Sequence, residues 1–466
     1  MKYLFFIIFS FCSQHGFSQN CFNEGAFEFC ISDNDTTSVK LTKIAKDYNL
    51  MSSPHYGNLT IPYDAHHNGH TYHVTEIASE AFAHRFDIVH VTISNGITTI
   101  NNNAFTGCIN LKAISLPQSI RTIYGNPLTY CPSLELIEID PDNTEYASPD
   151  GSNAIVDVAN KCLITGCYTT TIPNCVKSIK ADAFSGQEKL TKFCLPEQIV
   201  TITGNPFGGC NNLSEIKVDK RNPVFDSRSK CNAIINTESK LVIAGCASTR
   251  IPRSVKGIEF GAFLYLDNLN SIYIPRNIST ISPGAFYGCK YVSRIDVSPH
   301  NKTYDSRNGC NAVLNTGTNE LIVGCRQTTI PETAEAIGDY AFAYRLARPA
   351  LSLPQSIKRI GKGAFLGCDN LKYVYVPENA TFIGRDAFAY CHSLSEVYIF
   401  GNIETISHST FYDCTRLTTV FIPDCVKHID YNAFGGCVNL KQINTPKMLE
   451  RVADNAFDEC RADTKP

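Results

Sequence analysis

Apolar residues recur along this chain at fixed intervals. An Ala-Phe dipeptide, or a close substitute, returns at only two spacings: a short one, as from Phe82 to Phe105, and a long one, as from Leu128 to Phe184. A period in the twenties, like that of the short spacing, is typical of a solenoid in which each repeat forms one coil. The long spacing equals one coil plus an insertion, and it follows Leu128, Phe207 and Phe286. The anchor residues are Phe82, Phe105, Leu128, Phe184, Phe207, Phe263, Phe286, Phe342, Phe365, Phe388, Phe411, Phe434 and Phe457.

Within each coil, apolar and polar positions follow one pattern when they are counted forward from the anchor. Apolar residues occupy plus 9 and plus 11, as in Val374 and Val376, and proline often follows at plus 12. A period of two in β-branched residues predicts a half-buried strand, which proline ends because it cannot donate to a ladder. Isoleucine recurs at plus 18, as in Ile383. We expect anchors and isoleucines to point inward, since a single coil has no core until its neighbours cover it.

Each insertion leaves and rejoins the coil pattern at equivalent points. The second insertion contains the segment Asn232 to Ala244, which reads as two short strands around a polar turn. We predict that each insertion is a β-hairpin that projects from one edge of the solenoid. Long insertions on one face of a solenoid often carry binding, and a tolerated surface insertion is the alternative.

The coil pattern resembles that of a known repeat family. The segment Ile360 to Pro377, Ile-Gly-Lys-Gly-Ala-Phe-Leu-Gly-Cys-Asp-Asn-Leu-Lys-Tyr-Val-Tyr-Val-Pro, resembles the BspA-like, or Treponema-type, leucine-rich repeat family. The resemblance implies a leucine-rich-repeat solenoid, α/β horseshoe-like but β-rich. Its parallel sheet would be built from about thirteen 23-residue coils, three of them with β-hairpin excursions. Members are exported bacterial proteins or surface proteins of protozoan parasites, and several are adhesins for host matrix proteins or other cells.

The chain divides into four predicted segments. Residues 1–18 form a signal peptide, because the apolar run from Tyr3 to Cys12 follows Lys2 and is too short to span a bilayer. Residues 19–73 lack the coil pattern and form an N-terminal β-rich cap, which a solenoid needs at an open end. Residues 74–460 form the leucine-rich repeat solenoid, and residues 461–466 form a C-terminal tail. We therefore expect an exported protein that is periplasmic, on the cell surface or secreted.

Charge and motifs argue against several classes of function. The chain has 41 Lys and Arg and 44 Asp and Glu, a net charge of −3, and its basic residues are scattered. Binding to nucleic acid or to a membrane surface needs a basic stripe. The sequence also lacks a nucleophile elbow, a zinc-protease motif, a Walker loop and a dinucleotide-binding loop. We expect a monomer with no catalysis, no cofactor, no nucleic-acid partner and no membrane span.

The 21 cysteines suggest disulfides in an exported chain. Nine of them stand at plus 3 from an anchor and would stack from coil to coil, which favours a buried ladder of small apolar thiols over bonded pairs. Two further pairs lie symmetrically about the hairpin turns, Cys231 with Cys246 and Cys310 with Cys325. Strand pairing could bring each pair within disulfide reach, so these are candidate disulfides, with free thiols as the alternative.

Histidines crowd around one predicted turn near the N-terminal end. The dipeptide Asn68-Gly69 predicts a two-residue hairpin turn, which would place His67 opposite His70. A metal site would need a third and a fourth ligand, and the sequence offers none with a recognisable spacing. A solvated turn is therefore the favoured interpretation.

One outward position breaks the polar pattern of the coils. The residue at plus 10 must face outward because strand side chains alternate, and in most coils it is small, polar or charged. In three consecutive coils it is Tyr375, Tyr398 and Phe421, with Tyr373 beside them at plus 8 and Tyr273 at plus 10 further back. We predict an exposed aromatic surface that binds a ligand. The alternative is that the rings stack on one another and only stabilise the sheet.

The sequence favours an exported, non-catalytic interaction protein. It would act as a surface or secreted adhesin or scaffold that binds a protein or a glycan along the repeat sheet. The resemblance implies host matrix or other cells as sources of that ligand. The alternative is a passive structural surface protein or an accessory component of a nutrient-capture system.

Overall fold

The protein is a β-solenoid of about 16 turns with coils of about 23 residues, which confirms the predicted fold. A computed structural model describes residues 21–32, 35–44, 48, 50 and 57–460. The predicted signal peptide, residues 1–18, and the predicted tail, residues 461–466, lie outside the described residues. Contacts divide the chain into a first unit, Met1–Thr191 with Pro196–Asn212, and a second unit, Lys192–Leu195 with Leu213–Pro466.

Short strands form nearly all of the regular structure in both units. The helical segments among the described residues are three 3₁₀ turns, Pro149–Gly151, Arg228–Lys230 and Arg307–Gly309. The strands are β1 (Cys21–Glu24), β2 (Phe27–Ser32), β3 (Asp35–Ile44), β4 (Asn58–Ile61), β5 (Asp64–His67), β6 (His70–Ile77), β7 (His90–Ile93), β8 (Thr99–Ile100), β9 (Ala113–Leu116), β10 (Thr122–Ile123), β11 (Leu136–Ile139), β12 (Tyr146–Ala147), β13 (Ala154–Asp157), β14 (Cys162–Gly166), β15 (Ser178–Ile179), β16 (Lys192–Leu195), β17 (Thr201–Ile202), β18 (Glu215–Val218), β19 (Phe225–Asp226) and β20 (Ala233–Asn236). They continue with β21 (Leu241–Gly245), β22 (Gly257–Ile258), β23 (Ser271–Ile274), β24 (Thr280–Ile281), β25 (Arg294–Val297), β26 (Tyr304–Asp305), β27 (Val313–Asn315), β28 (Glu320–Val323), β29 (Ala336–Ile337), β30 (Ala350–Ser352), β31 (Arg359–Ile360), β32 (Tyr373–Val376), β33 (Phe382–Ile383), β34 (Glu396–Ile399), β35 (Thr405–Ile406), β36 (Thr419–Phe421), β37 (His428–Ile429), β38 (Gln442–Ile443) and β39 (Arg451–Val452).

Successive coils pair in parallel through two strands each. In the second unit, Val374 of β32 lies opposite Val397 of β34. On the other strand of the same coils, Ile360 of β31 lies opposite Ile383 of β33. Paired residues in both ladders are one repeat apart in the sequence, so the length of the repeat sets the register between neighbouring strands. The β-branched residues of this period fill the interior because their neighbours above and below cover them.

The anchor phenylalanines stack inside the coils, as predicted. In the second unit Phe365, Phe388 and Phe411 are fully buried. Their ring centroids are 5.2 Å and 5.6 Å apart, with interplanar angles of 6° and 7°. In the first unit the rings of Phe82 and Phe105 stack with centroids 5.0 Å apart. The strand spacing of about 4.8 Å sets this separation, because each coil advances the chain by one strand.

The cysteines at plus 3 form the predicted ladder of free thiols, and they also make hydrogen bonds. The thiol of Cys391 donates to the carbonyl oxygen of Phe365 at 3.3 Å, and the thiol of Cys414 donates to that of Phe388 at 3.2 Å. Each thiol therefore links its coil to the anchor carbonyl of the preceding coil, and several of these carbonyls, including that of Phe365, also accept a backbone N–H group of their own coil. The same bond is made by Cys108, Cys131, Cys210, Cys289, Cys368, Cys437 and Cys460.

Arg345 takes the thiol's place in the coil anchored by Phe342. Its guanidinium is buried, and one nitrogen donates to the carbonyl oxygen of Phe286 at 2.6 Å. A second nitrogen donates to the carbonyl oxygens of Tyr340 and Ala341. Burial lowers the pKa of Arg345. The guanidinium is held by three backbone carbonyls, one of which is the carbonyl of the preceding anchor, Phe286.

The insertions differ from the prediction, because their hairpins do not project from an edge. In the first unit β12, β13 and β14 pair antiparallel, and β14 then pairs in parallel with β15, with Leu163 opposite Ile179. In the second unit β19 to β22 and β26 to β29 repeat this order. Every residue of β14 is buried. A strand that is apolar on both faces belongs inside the sheet, so each hairpin adds a turn to the solenoid.

A glycine lies at the end of the last strand of each hairpin, or directly after it, where an ordinary coil would place its anchor ring. The N–H group of Gly166 donates to the carbonyl oxygen of Ala183 at 2.8 Å, the bond that Phe82 makes to Ala104 in an ordinary coil. A Cβ at Gly166 would overlap the ring of Phe184. The anchor of the next coil therefore packs against bare backbone, which only glycine allows.

The residue two positions after the anchor has a left-handed backbone conformation in every coil, and the residue two positions before the anchor has one in most coils. At plus 2, Tyr344 has φ 61° and Gly367 in the next coil has φ 63°. A Cβ at Gly367 would overlap the ring of Tyr344. The large residue of one coil thus packs against the glycine of the next, and this glycine is needed both for its φ and for the neighbouring ring.

The N-terminal segment extends the solenoid with antiparallel strands. Strand β1 pairs with β2, β2 pairs with β3, and β3 joins the coil ladder through β6. A disulfide between Cys21 and Cys30, which the sequence analysis did not predict, links β1 to β2. His67 lies opposite His70, as expected for the turn. Within the described residues, no group of three or more His, Cys, Asp or Glu side chains is arranged to hold a metal ion.

Candidate functional site

The candidate site lies on one face of the five-stranded sheet β30-β32-β34-β36-β38 of the second unit. Strands β32, β34 and β36 carry valines that point into the core, Val374, Val397 and Val420. The side chains next to these valines must leave the opposite face of the sheet, because strand side chains alternate. Tyr375 and Phe421 are therefore exposed, and Tyr398 between them is partly exposed.

The outward rings lie side by side in the ladder register. Tyr375 is opposite Tyr398, and Tyr398 is opposite Phe421. The rings of Tyr375 and Tyr398 stack with centroids 5.4 Å apart and an interplanar angle of 5°. The hydroxyl of Tyr398 donates to Oε2 of Glu396 at 2.9 Å, and this bond raises the pKa of Tyr398. The glutamate fixes one ring, and stacking then orients its neighbour.

Phe400 joins these rings, and the sequence analysis missed it. It is 49% exposed, and its ring centroid lies 6.5 Å from that of Tyr398 and 6.2 Å from that of Phe421. Phe400 occupies plus 12, where neighbouring coils have Pro377 and Pro423. A phenylalanine at a position that usually holds proline was the feature of the sequence that could have identified it. We call Tyr373, Tyr375, Tyr398, Phe400 and Phe421 the aromatic strip.

The aromatic strip begins abruptly at strand β30. The residues of β30 opposite Tyr373 and Tyr375 are Ala350 and Ser352. Their side chains are too small to cover a tyrosine ring, so the strip forms a step above β30. Both tyrosines are exposed, at 36% and 39%. Because Tyr375 stacks on Tyr398 with one face, its other flat face is turned toward β30.

Tyr273 is not part of the aromatic strip. It lies on β23, which pairs with β25 in a separate two-stranded sheet, and its partner across the ladder is Asp296. Tyr273 is 59% exposed. The structure therefore brings together four of the five predicted site residues and leaves Tyr273 isolated.

A charged cluster in the same coils links neighbouring coils to one another. His392 lies between two carboxylates, with Nδ1 at 2.8 Å from Asp369 and Nε2 at 3.2 Å from Asp413. These hydrogen bonds raise the pKa of His392 to about 9. The imidazole is thus protonated at neutral pH, and both of its nitrogens donate. Because both ring nitrogens carry a proton, the imidazole cannot accept one as a general base, so this cluster does not suggest catalysis.

The candidate disulfide cysteines are buried free thiols in the structure. Strands β20 and β21 pair Ala233 with Gly245, and a β-bulge then shifts the register by one residue. Continued from Ala233, this register would place Cys231 opposite position 247, one residue beyond Cys246. The thiol of Cys246 instead donates to the carbonyl oxygen of Asn232 at 3.5 Å. The bonds Cys231–Cys246 and Cys310–Cys325 remain predictions for mass spectrometry of the oxidised protein.

Several solved leucine-rich repeat structures resemble this chain. A leucine rich cell surface protein from Faecalibacterium prausnitzii is 22% identical, with a TM-score of 0.43 and coverage of 92% of this chain and 96% of that chain. A leucine-rich repeat protein from Eubacterium ventriosum is 16% identical, with a TM-score of 0.43 and 95% coverage of both chains. The pneumococcal vaccine antigen PcpA is 15% identical, with a TM-score of 0.31 and coverage of 92% and 99%.

Sequence comparison identifies the family more directly. No curated protein matches the chain. Among the described residues, no helix has the length and apolar character that crossing a membrane requires. The profile of the BspA type leucine rich repeat region matches residues 73–149, 161–238, 243–316 and 324–463. These ranges cover most of the chain and coincide with the coils, so the chain belongs to the BspA-type leucine-rich repeat family.

Proposed function

We propose that this protein is an exported, non-catalytic interaction protein whose aromatic strip binds a protein or a glycan. The observation that carries the proposal is the contiguity of exposed rings: Tyr375, Tyr398, Phe400 and Phe421 contact one another in sequence across the sheet. Exposed tyrosine and phenylalanine contribute strongly to binding because they bury a large apolar area with few rotatable bonds. A monomer would display this surface to a partner.

Two observations support export. An apolar run from Tyr3 to Cys12 has the length and the preceding positive charge of a signal peptide. The disulfide between Cys21 and Cys30 forms close behind the expected cleavage site. Disulfides of this kind persist in oxidising compartments, which include the periplasm and the cell exterior. A role as a surface or secreted adhesin or scaffold agrees with this location.

The competing proposal is a passive structural surface protein or an accessory component of a nutrient-capture system. Stacking favours this alternative, since the rings of Tyr375 and Tyr398 partly cover each other. Cross-strand pairs of this kind stabilise a sheet by up to about 1 kcal/mol each. The two proposals differ in one measurable property, which is whether the strip rings contribute to the affinity for a ligand.

The deciding experiment screens the purified protein against matrix proteins and polysaccharides and then tests the aromatic strip. The triple change Tyr375→Ser, Tyr398→Ser and Phe421→Ser should weaken binding about 100-fold, equal to about 2.7 kcal/mol. Tyr273→Ser is the matched control, because Tyr273 occupies the same coil position on a separate sheet. A folded triple variant with unchanged affinity would leave the strip with a structural role only. Failure of every ligand in the screen would favour the passive alternative.

A further inference from the structure

A polar cavity lies in the turns of the first unit, among the coils anchored by Phe82, Phe105, Leu128 and Phe184. Its volume is about 210 Å³, enough for a small organic molecule. Glu80, His84, Lys180 and Asp182 line it. These turns belong to neither the sheet faces nor the aromatic strip, and the coil pattern does not account for their ionisable residues.

The second unit shows how other side chains fill the same place in the fold. Aromatic rings stand at its equivalent coil positions: Phe260 corresponds to Asn102, Tyr287 to Thr129 and Tyr340 to Asp182. The ring centroid of Tyr340 lies 6.4 Å from that of Phe260 and 5.4 Å from that of Tyr287. Solenoid geometry therefore does not require a cavity here. The first unit keeps this place open and polar through its side chains.

Two carboxyl groups in this cavity lack a compensating positive charge. Within the described residues the side chain of Glu80 makes no hydrogen bond, and burial raises its pKa. One carboxylate oxygen of Asp182 accepts a bond from the Ser185 hydroxyl at 2.8 Å, and burial raises its pKa as well. No ion pair joins either group to Lys180 in the part of the chain that the structure describes. Glu80 and Asp182 are both partly buried, and a carboxylate that loses water without gaining a counter-charge is unfavourable, so a cation would relieve both.

We propose that this cavity binds a primary ammonium group, held between the carboxylates of Glu80 and Asp182. An ammonium group has three N–H donors and no acceptor, which suits a cavity with two carboxylates. Burial lowers the pKa of His84, so its ring is neutral at pH 7 and offers an acceptor nitrogen. The ammonium group comes from a free alkylamine or from a lysine side chain of a partner, which present the same chemistry.

The test begins with two probes of the same length and different charge. Calorimetric titration at pH 7.5 compares n-butylammonium with n-butanol, using the full chain. The ammonium probe should bind, and the alcohol should bind at least about tenfold more weakly, because a neutral hydroxyl gives up the charge-assisted bonds. Equal binding of the two probes, or no binding of the ammonium, would overturn the proposal. Titration with N-acetyl-lysine amide then tells a lysine side chain from a free amine, since a lysine site should bind it more tightly than n-butylammonium.

Charge variants provide a test with opposite signs. Glu80→Gln and Asp182→Asn should each weaken n-butylammonium binding about tenfold, because each removes one charge-assisted bond. Lys180→Gln should strengthen binding about twofold, because it removes a like charge from the wall of the cavity. A cavity that is polar but has no preference for a cation would not show weaker binding on loss of a negative charge together with stronger binding on loss of a positive charge. Unchanged binding in Glu80→Gln and Asp182→Asn would refute the assignment.

A filling variant keeps both carboxylates and removes the space. Thr129→Tyr introduces the residue that the second unit has at this place, Tyr287. A folded Thr129→Tyr protein should not bind n-butylammonium, and binding at full affinity would place the amine elsewhere. If this variant does not fold, the charge variants decide, since amide replacements remove the uncompensated charges and should leave the melting temperature equal or higher.

Discussion

Replacing Phe388 by alanine tests the physical model of the solenoid most directly. The ring is fully buried, and it stacks between Phe365 at 5.2 Å and Phe411 at 5.6 Å. Truncating a core phenylalanine destabilises by about 3 to 5 kcal/mol, because apolar burial is lost and a cavity remains. The two stacked neighbours favour the upper part of this range, since each aromatic pair contributes about 0.5 to 1.5 kcal/mol beyond burial.

The damage should also be local, because each coil contacts only its neighbours. Chemical denaturation measures the total loss, and hydrogen exchange with mass spectrometry reports where protection falls. We expect the largest fall in the coils of Phe365 and Phe411 and little change in the first unit. Phe382→Ala is the control, because this ring is 45% exposed and its loss should destabilise by less than about 1 kcal/mol. A uniform loss of protection across both units, or equal effects of the two variants, would refute the reasoning.

Three further predictions concern the turns and the thiols. The pKa of His392 is raised to about 9, so its contribution to stability is complete below about pH 6.5 and is lost as the pH rises through 9. His392→Gln should therefore reduce the fall of the free energy of unfolding over this pH range by about 1 to 2 kcal/mol, given partial solvent exposure. Urea denaturation at several pH values measures this, and an unchanged profile would contradict it. Gly367→Ala should destabilise by about 1 to 3 kcal/mol from its positive φ and the overlap with Tyr344, and urea midpoints that match the native protein would show that the turn adapts. Burial raises the pKa of the Cys414 thiol well above its ordinary value, so this thiol should not react with a disulfide reagent at pH 8 in the native protein, whereas exposed Cys175 should; rapid labelling of both would place Cys414 nearer the surface.

The periodic part of the fold was predictable because each repeat has the same pattern of apolar and polar positions. The spacing of anchors such as Phe388 defines the coil, and the alternation around Val374 defines the strand and its outward residues. The path of the hairpins was not predictable, since Gly166 reads as a turn residue until the ring of Phe184 is seen to occupy its side-chain space. A glycine in a sequence shows that the backbone can adopt unusual conformations there, but it does not show which neighbouring side chain needs the space.

The candidate site was predictable in part, for a similar reason. Tyr375 and Tyr398 lie one repeat apart, so the register that defines the sheet also places them side by side. Phe400 was missed because it lies at a position normally reserved for proline. Tyr273 was grouped with the strip by its coil position alone, and the interruption of the sheet at each hairpin separates it.

The thiol ladder makes the folding process demanding in an oxidising compartment. Eight of the nine thiols that donate to anchor carbonyls are buried, and they are inert once the coils are stacked because burial suppresses the reactive thiolate. Before stacking, the same thiols are exposed at regular intervals along a chain that can bridge any two of them. Native pairing of Cys21 with Cys30 must then occur while the repeats remain unpaired. In such a compartment the yield of folded protein would therefore depend on rapid coil-by-coil folding, or on a disulfide isomerase, more than on the stability of the final fold.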